Sequence, residues 1–173
     1  SLGERMFRFV DRISGVFGAL AAFLFLLIGL MLSYEVIARY LFNAPTSWAE
    51  EGSRMLQLWA TFLGAAFILR DQGLIRVSAI VLLLPERLQR VAEAITLLFI
   101  IWFCWIAYSY GLDIAMESQR IGRTTDTMNQ VPRVLTESAV PIGFALLALQ
   151  AAVDLIRVLR GEKPRAHAET EQV

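Results

Sequence analysis

The chain has 173 residues, with sixteen Lys and Arg balancing sixteen Asp and Glu, 57% apolar side chains and 18% charged ones. Soluble domains are about 45–50% apolar and about 25% charged, so this chain carries more apolar mass than one soluble core needs, and its mean hydropathy of +0.56 points to a membrane. Zero net charge argues against a nucleic-acid-binding surface, one cysteine (Cys104) excludes an internal disulfide framework or thiolate cluster, and one histidine (His167, in the polar tail) excludes bis-histidine haem ligation.

Met6, Phe9, Val10 and Ile13 recur at helical spacing, which predicts an interfacial turn leading into the first span. Ile13 to Tyr34 is a run of 22 uncharged residues, about 33 Å as a helix and enough to cross a bilayer. Basic residues precede it, but the run exceeds a signal-peptide core and no A-x-A site follows, so it reads as a retained anchor over about 13–36. Ser47-Trp48-Ala49-Glu50 has the form of a capping box, with Ser47 as N-cap and Glu50 at N3. It opens a second span over about 48–69, whose uncharged run from Met55 to Leu69 has 15 residues.

Leu74 to Leu84 holds nine apolar residues in eleven, about 16 Å as a helix and too short to cross. Pro85 ends it. Its simplest reading is a lateral helix lying in the interface, the alternative being an early, tilted start to the third span. Ala94 to Leu112, 19 uncharged residues, forms the centre of that third span, over about 91–112. Asp113 to Val131 is polar and threonine-rich and predicts a loop of 19 residues. Pro132 fits a helix start, and Gly161 with Pro164 fits a stop, which bounds a fourth span over about 133–159. The expected architecture is an all-α integral membrane domain over 1–161, with four transmembrane helices and one lateral interfacial helix, followed by a polar tail over 162–173.

Eleven cations fall on one side of these spans: Arg5, Arg8 and Arg12, then Arg70, Arg76, Arg87 and Arg90, then Arg157, Arg160, Lys163 and Arg165. The other side has five: Arg39, Arg54, Arg120, Arg123 and Arg133. The positive-inside rule then places both termini in the cytoplasm. Tyr34, Tyr40, Tyr108, Tyr110 and Trp48 gather at the opposite interface as an aromatic belt.

Little in the spans suits catalysis. No histidine lies in or near them, and Cys104, between Phe103 and Trp105, reads as an inert core thiol. No catalytic, cofactor-binding or metal-ligating residue is expected. Glu35 lies one residue past the first apolar run, where an acid can serve proton coupling, but Arg39 at i+4 is placed to pair with it. Glu137 and Asp154 bracket the fourth span as interfacial charges. Trp59, Trp102 and Trp105 fall where tryptophans fill gaps between helices or face lipid. Gly15, Gly18 and Ala22, with Ala60 and Gly64, make small faces that permit close helix approach, read here as surfaces for a partner. Arg39, Glu50, Glu51 and Arg54 are either separate interfacial charges or one network fixing the crossing of spans one and two. Arg120 and Arg123 sit in the long outer loop, which is either a connector or part of a docking face.

The band from Arg39 to Val77 carries the most specific signal. It reads Arg39-Tyr40-Leu41-Phe42-Asn43, Trp48-Ala49-Glu50-Glu51, Phe62-Leu63-Gly64-Ala65 and Ile75-Arg76-Val77. In content and order this resembles the small membrane (Q, DctQ-like) subunit of tripartite ATP-independent periplasmic (TRAP) transporters. The likeness covers spans one and two and the lateral helix in detail; spans three and four agree in number and length. The family often has His before Ile-Arg-Val and Asp soon after, where this chain has Leu74 and Ser78.

The resemblance implies a small scaffold subunit in a bacterial inner membrane. Its partners would be membrane lipids, a large multi-spanning permease subunit that moves as an elevator, and a periplasmic binding protein delivering an organic acid such as a C4-dicarboxylate or sialic acid. It implies no cofactor in this chain, with the sodium sites in the large subunit. Arg39, Trp48, Glu50, Glu51, Arg54, Arg70 and Arg76 are the candidate structural and partner-interface residues, and Arg120 and Arg123 the candidate docking residues. Two other classes remain open: a small proton-coupled four-span exporter working as a homodimer, which would titrate a buried Glu35, and a non-catalytic subunit of a membrane enzyme.

Overall fold

The computed structural model describes residues 2–72, 85–126 and 129–161, with side chains described from Phe7 to Leu69 in the first stretch. The lateral helix expected over 74–84, with Arg76, lies outside the described residues, as do the side chain of Arg70 and the tail over 162–173. Among the described residues the elements are helices: α1 (Leu2–Leu41), α2 (Ser47–Gln72), α3 (Glu86–Ile121), the single turn α4 (Val134–Glu137) and α5 (Ala139–Leu159). Among the described residues three stretches are long and apolar enough to cross a membrane: Phe7–Leu41, Glu86–Ile121 and Val134–Leu159. α2 has 26 residues, about 39 Å, with Glu50, Glu51 and Arg54 in its first two turns.

The helices overrun the spans expected from uncharged runs. α1 takes in the residues before Ile13 and continues to Leu41, and α3 continues nine residues past Leu112. The expected outer loop over Asp113–Val131 is corrected accordingly: residues 113–121 are helical, and Arg120 belongs to the last turn of α3. An uncharged run measures the apolar slab, whereas a helix stops where the backbone is turned. That happens at Gly122, which adopts the left-handed conformation (φ 68°) that costs a residue without Cβ little. Gly122 N–H donates to Gln119 O at 3.3 Å and Arg123 N–H to Ser118 O at 3.0 Å, the paired bonds of a Schellman cap. Gly161 (φ 84°) follows α5 in the same conformation, as the glycine stop signal predicted.

The fourth expected span is interrupted. Pro141 has no N–H to offer Glu137 O, and the chain breaks into α4 and α5 at Ser138. Regular bonding resumes as Ile142 N–H donates to Ser138 O at 3.3 Å.

The long helices pack in the order α1, α2, α5, α3. Close approaches fix their directions. Gly18 faces Phe67 and Gly52 faces Met31, so α1 and α2 run antiparallel. Trp59 Nε1 donates to Leu135 O at 2.9 Å and Gly143 abuts Phe62, so α2 and α5 run the same way. Gly111 meets Val140 and Pro141, while Leu97 clusters with Ala151, so α3 runs against α5.

The buried positions are mostly small: Ala21, Ala49, Ala60, Ala66, Ala139 and Ala151. A row of helices has no thick centre, and its large side chains point outward. Phe23, Leu26 and Leu30 of α1 and Trp102 and Trp105 of α3 are all exposed. The small-residue faces are thus used inside this chain rather than kept for a partner: Gly18, Ala60 and Gly64 are buried, while Ala22 faces out.

Candidate functional site

Polar side chains collect at both ends of the helix row. At the end where α1 meets α2, Glu35 is 5% exposed, and both of its carboxylate oxygens are engaged. Arg39 donates to Oε1 through Nε at 3.1 Å and Nη2 at 2.7 Å. Thr46 donates its backbone N–H to Oε2 at 2.9 Å and its hydroxyl to the same atom. The acid at the end of α1 therefore holds the residue that immediately precedes α2, and so fixes the tight α1–α2 turn.

From Arg39 the network continues to Glu50 Oε2 at 3.8 Å, and from Glu50 Oε1 to Arg54 Nη2 at 2.5 Å. Of the four residues read as either separate charges or one network, Arg39, Glu50 and Arg54 do join, with Glu35 as a member that the sequence paired only with Arg39. Glu51 does not join them, which corrects that reading. Its carboxylate accepts the Thr125 hydroxyl and, at 2.9 Å, Asn129 Nδ2. Adjacent residues on a helix do not share a face, so Glu50 turns toward α1 and Glu51 toward the α3–α4 connection. The expected capping box is corrected too. Ser47 is the first helical residue rather than the N-cap, and Glu50 is directed at the two arginines instead of at the turn before it.

Trp48 stacks near Tyr34 with ring centroids 5.9 Å apart, while Tyr40 and Tyr110 are exposed at the same end. These placements suit an interfacial belt.

The α3–α4 connection is a small hairpin. Thr124 bridges Pro132, Thr125 N–H donates to Val131 O at 2.9 Å, and Arg133 N–H donates to Arg123 O at 3.0 Å. Arg133 pairs with Asp126 at 3.0 Å. Arg120, on the last turn of α3, and Arg123, at the hairpin base, are exposed and pair with no acid among the described residues.

At the opposite end lies a cluster with no counterpart in the sequence reading beyond Asp154. Ser14 Oγ donates to Gln150 Oε1 at 2.7 Å, and Gln150 Nε2 lies 3.4 Å from both Asp11 Oδ1 and Asp154 Oδ1. Arg157 donates to Asp11 Oδ2 at 2.5 Å and to Asp154 Oδ1 at 3.4 Å. The Phe7 ring lies 5.5 Å from the Arg157 guanidinium and 5.0 Å from that of Arg160. Gln150 is fully buried and Asp154 nearly so, and these are helix-internal positions rather than end markers. The signal was present: Gln150, Asp154 and Arg157 recur at i, i+4 and i+7 on α5, opposite Asp11 and Ser14 at i and i+3 on α1.

Among the described residues no three His, Cys, Asp or Glu side chains converge in a way that could hold a metal ion. The arrangement orients helices and presents, at the α3–α4 connection, two exposed cations, Arg120 and Arg123, that no acid among the described residues pairs with.

Residues 28–161 match the family described as tripartite ATP-independent periplasmic transporters, DctQ component. The chain is 28% identical over 158 aligned positions to the C4-dicarboxylate TRAP transporter small permease protein DctQ of Vibrio cholerae, a match covering 79% of this chain and 68% of that protein. It is 25% identical over 129 positions to the isethionate TRAP transporter permease protein DctMQ of Oleidesulfovibrio alaskensis, covering 73% of this chain and 20% of that longer protein.

Proposed function

The chain belongs to the family of DctQ components of tripartite ATP-independent periplasmic transporters, and from that premise we propose that it is the small scaffold subunit of a sodium-coupled, binding-protein-dependent transporter for organic acids. The family is a transporter component and not an enzyme. The observation that carries the proposal is the match over residues 28–161, which takes in α2 to α5 whole and the outer part of α1.

In this reading the chain sits in a bacterial inner membrane with four spans and both termini cytoplasmic. α2 supplies the remaining crossing, supported by its packing between α1 and α5, which are themselves long and apolar enough to span. Substrate and sodium are handled by a large permease subunit, which uses this chain to widen its stationary scaffold. The name DctMQ, borne by a relative of which this chain matches 20%, supports such a partner. The relatives' names, C4-dicarboxylate and isethionate, support a small organic anion as the cargo. The stretches 13–34, 55–69, 94–112 and 138–153 of the described residues carry no acidic or basic side chain, whereas a protein that transports alone normally places such groups or broken helices at mid-membrane. The exporter and enzyme-subunit readings lose their footing with the family assignment. Glu35, the acid an exporter would titrate, is committed to Arg39 and Thr46.

The purified chain in proteoliposomes should show no sodium-dependent uptake. Co-expressed with a large permease subunit, it should be retained through affinity purification, and uptake should then require the loaded binding protein. Uptake by the isolated chain would overturn the scaffold reading.

The hairpin end is the proposed docking face, because Arg120 and Arg123 are exposed cations that no acid among the described residues pairs with. The double variant Arg120→Glu/Arg123→Glu should raise the apparent KM for the binding protein by about tenfold at low salt and less at high salt, since rim charges act through a screened field. Subunit assembly should be unchanged. An unaltered KM would make the hairpin a connector.

A further inference from the structure

Glu51 belongs to α2, yet its carboxylate reaches out of that helix to the hairpin, where it accepts the Thr125 hydroxyl and Asn129 Nδ2. Thr125 is the residue that closes the hairpin. Its N–H donates to Val131 O at 2.9 Å, and its Oγ1 accepts the Val131 N–H at 3.1 Å. Two residue pairs further down, Arg123 O accepts the Arg133 N–H at 3.0 Å, while Arg123 N–H donates to Ser118 O of α3. The backbone of Arg123 is thereby held between α3 and the hairpin, and its side chain is left exposed. The described residues of the hairpin have little apolar packing to order them, since Thr124, Asp126, Asn129, Gln130 and Pro132 are all exposed. A segment of this kind keeps one conformation only through its polar contacts. Those to Glu51 tie it by side-chain bonds to another long helix, α2.

We propose that Glu51 is a positioning residue for partner docking: by holding Thr125 and Asn129 it presets the hairpin, and with it the placement of Arg123 relative to Arg120, for an acidic face of the periplasmic binding protein. The inference rests on the docking reading above and adds to it the device that keeps the face in shape. Arg120 is built on α3 and stays in place whatever the hairpin does, whereas Arg123 shares the hairpin backbone. A preset pair meets its partner without the ordering cost that a loose loop would incur at each encounter.

The test uses the assembled two-subunit complex in proteoliposomes, with uptake measured against the concentration of loaded binding protein and trypsin cleavage after Arg123 followed in parallel. Glu51→Ala should raise the apparent KM by about three- to tenfold, as loss of a charged acceptor does, leave the maximal rate alone, and speed cleavage. Glu51→Gln, which keeps an acceptor, should fall between. Thr125→Val should reproduce the KM rise from the other side of the contact. If Arg120→Glu/Arg123→Glu raises KM while Glu51→Ala and Thr125→Val leave KM and cleavage at the wild-type level, docking stands and the role of Glu51 is overturned. If the charge reversal leaves KM unchanged, the docking reading fails, and Glu51 loses this role even where its loss speeds cleavage. A lower maximal rate or yield at unchanged KM also overturns the proposal, because it makes Glu51 a fold-stabilising residue only.

Discussion

Arg157→Met should destabilise the chain by about 3–5 kcal/mol, the cost of removing one partner from a buried ion pair. Arg157 and Asp154 are largely buried and Asp11 is 27% exposed, so water can do little to screen the two acids left behind. For a chain of this size that loss corresponds to a fall in melting midpoint of roughly 10 °C, measurable by the temperature at which the chain leaves its monodisperse peak on size exclusion. The energy at stake is the penalty of stranding Asp11 and Asp154, not the worth of the pair itself. Hence Asp11→Asn and Asp154→Asn added to Arg157→Met should recover most of the loss, although each asparagine change made alone is itself destabilising. Simple addition of the three losses would show that the residues act as separate interfacial charges. The cluster matters because it joins α1 to α5, the first and last helices along the described chain.

A second large effect is expected at Gly143. A Cβ at that position would lie 2.3 Å from Phe62 Cβ and 2.9 Å from Phe62 Cγ. Phe62 Cβ is bonded directly to the α2 backbone and cannot swing aside, so Gly143→Ala must push α2 and α5 apart. Overpacking of this kind costs about 1–3 kcal/mol, and Gly143→Leu should prevent recovery of the folded chain altogether. Gly29 supplies the control, since nothing lies within 4 Å of its added Cβ. Gly29→Ala should be neutral, or stabilising by up to about 1 kcal/mol through helix propensity. Thermal melts of both variants separate the two glycines. Equal effects at Gly29 and Gly143 would mean that propensity rather than contact sets the cost.

The features legible in the sequence are those written in local spacing. The helical, membrane-spanning character follows from uncharged runs, because a bilayer tolerates backbone only where its hydrogen bonds close within the segment. The pairs Glu35–Arg39 and Glu50–Arg54 follow from i,i+4 geometry, which needs nothing but the helix itself. The stop at Gly122 is equally local, but an uncharged run ends where charges begin and so does not reach it. A charged residue such as Asp113 or Glu117 marks the edge of the apolar slab and does nothing to end a helix.

What spacing by itself determined is the class of the protein, the existence of its long helices and the short-range ion pairs along them. Tertiary structure alone decided the rest, because it concerns which faces meet. Glu50 and Glu51 are neighbours in sequence with the same chemistry, and only the position of α1 on one side and the hairpin on the other sends them into different networks. Asp154 reads as an end marker until Asp11 and Ser14, over 130 residues away, are brought against its helix. Gly18 and Gly143 are small residues on apolar helices, and their sequence carries no mark of whether the neighbour is another subunit or, as here, Phe67 and Phe62 of the same chain. Local geometry extends over one or two turns of helix; the choice of partner belongs to the packing of whole helices, whose free energy is spread over contacts distant in sequence.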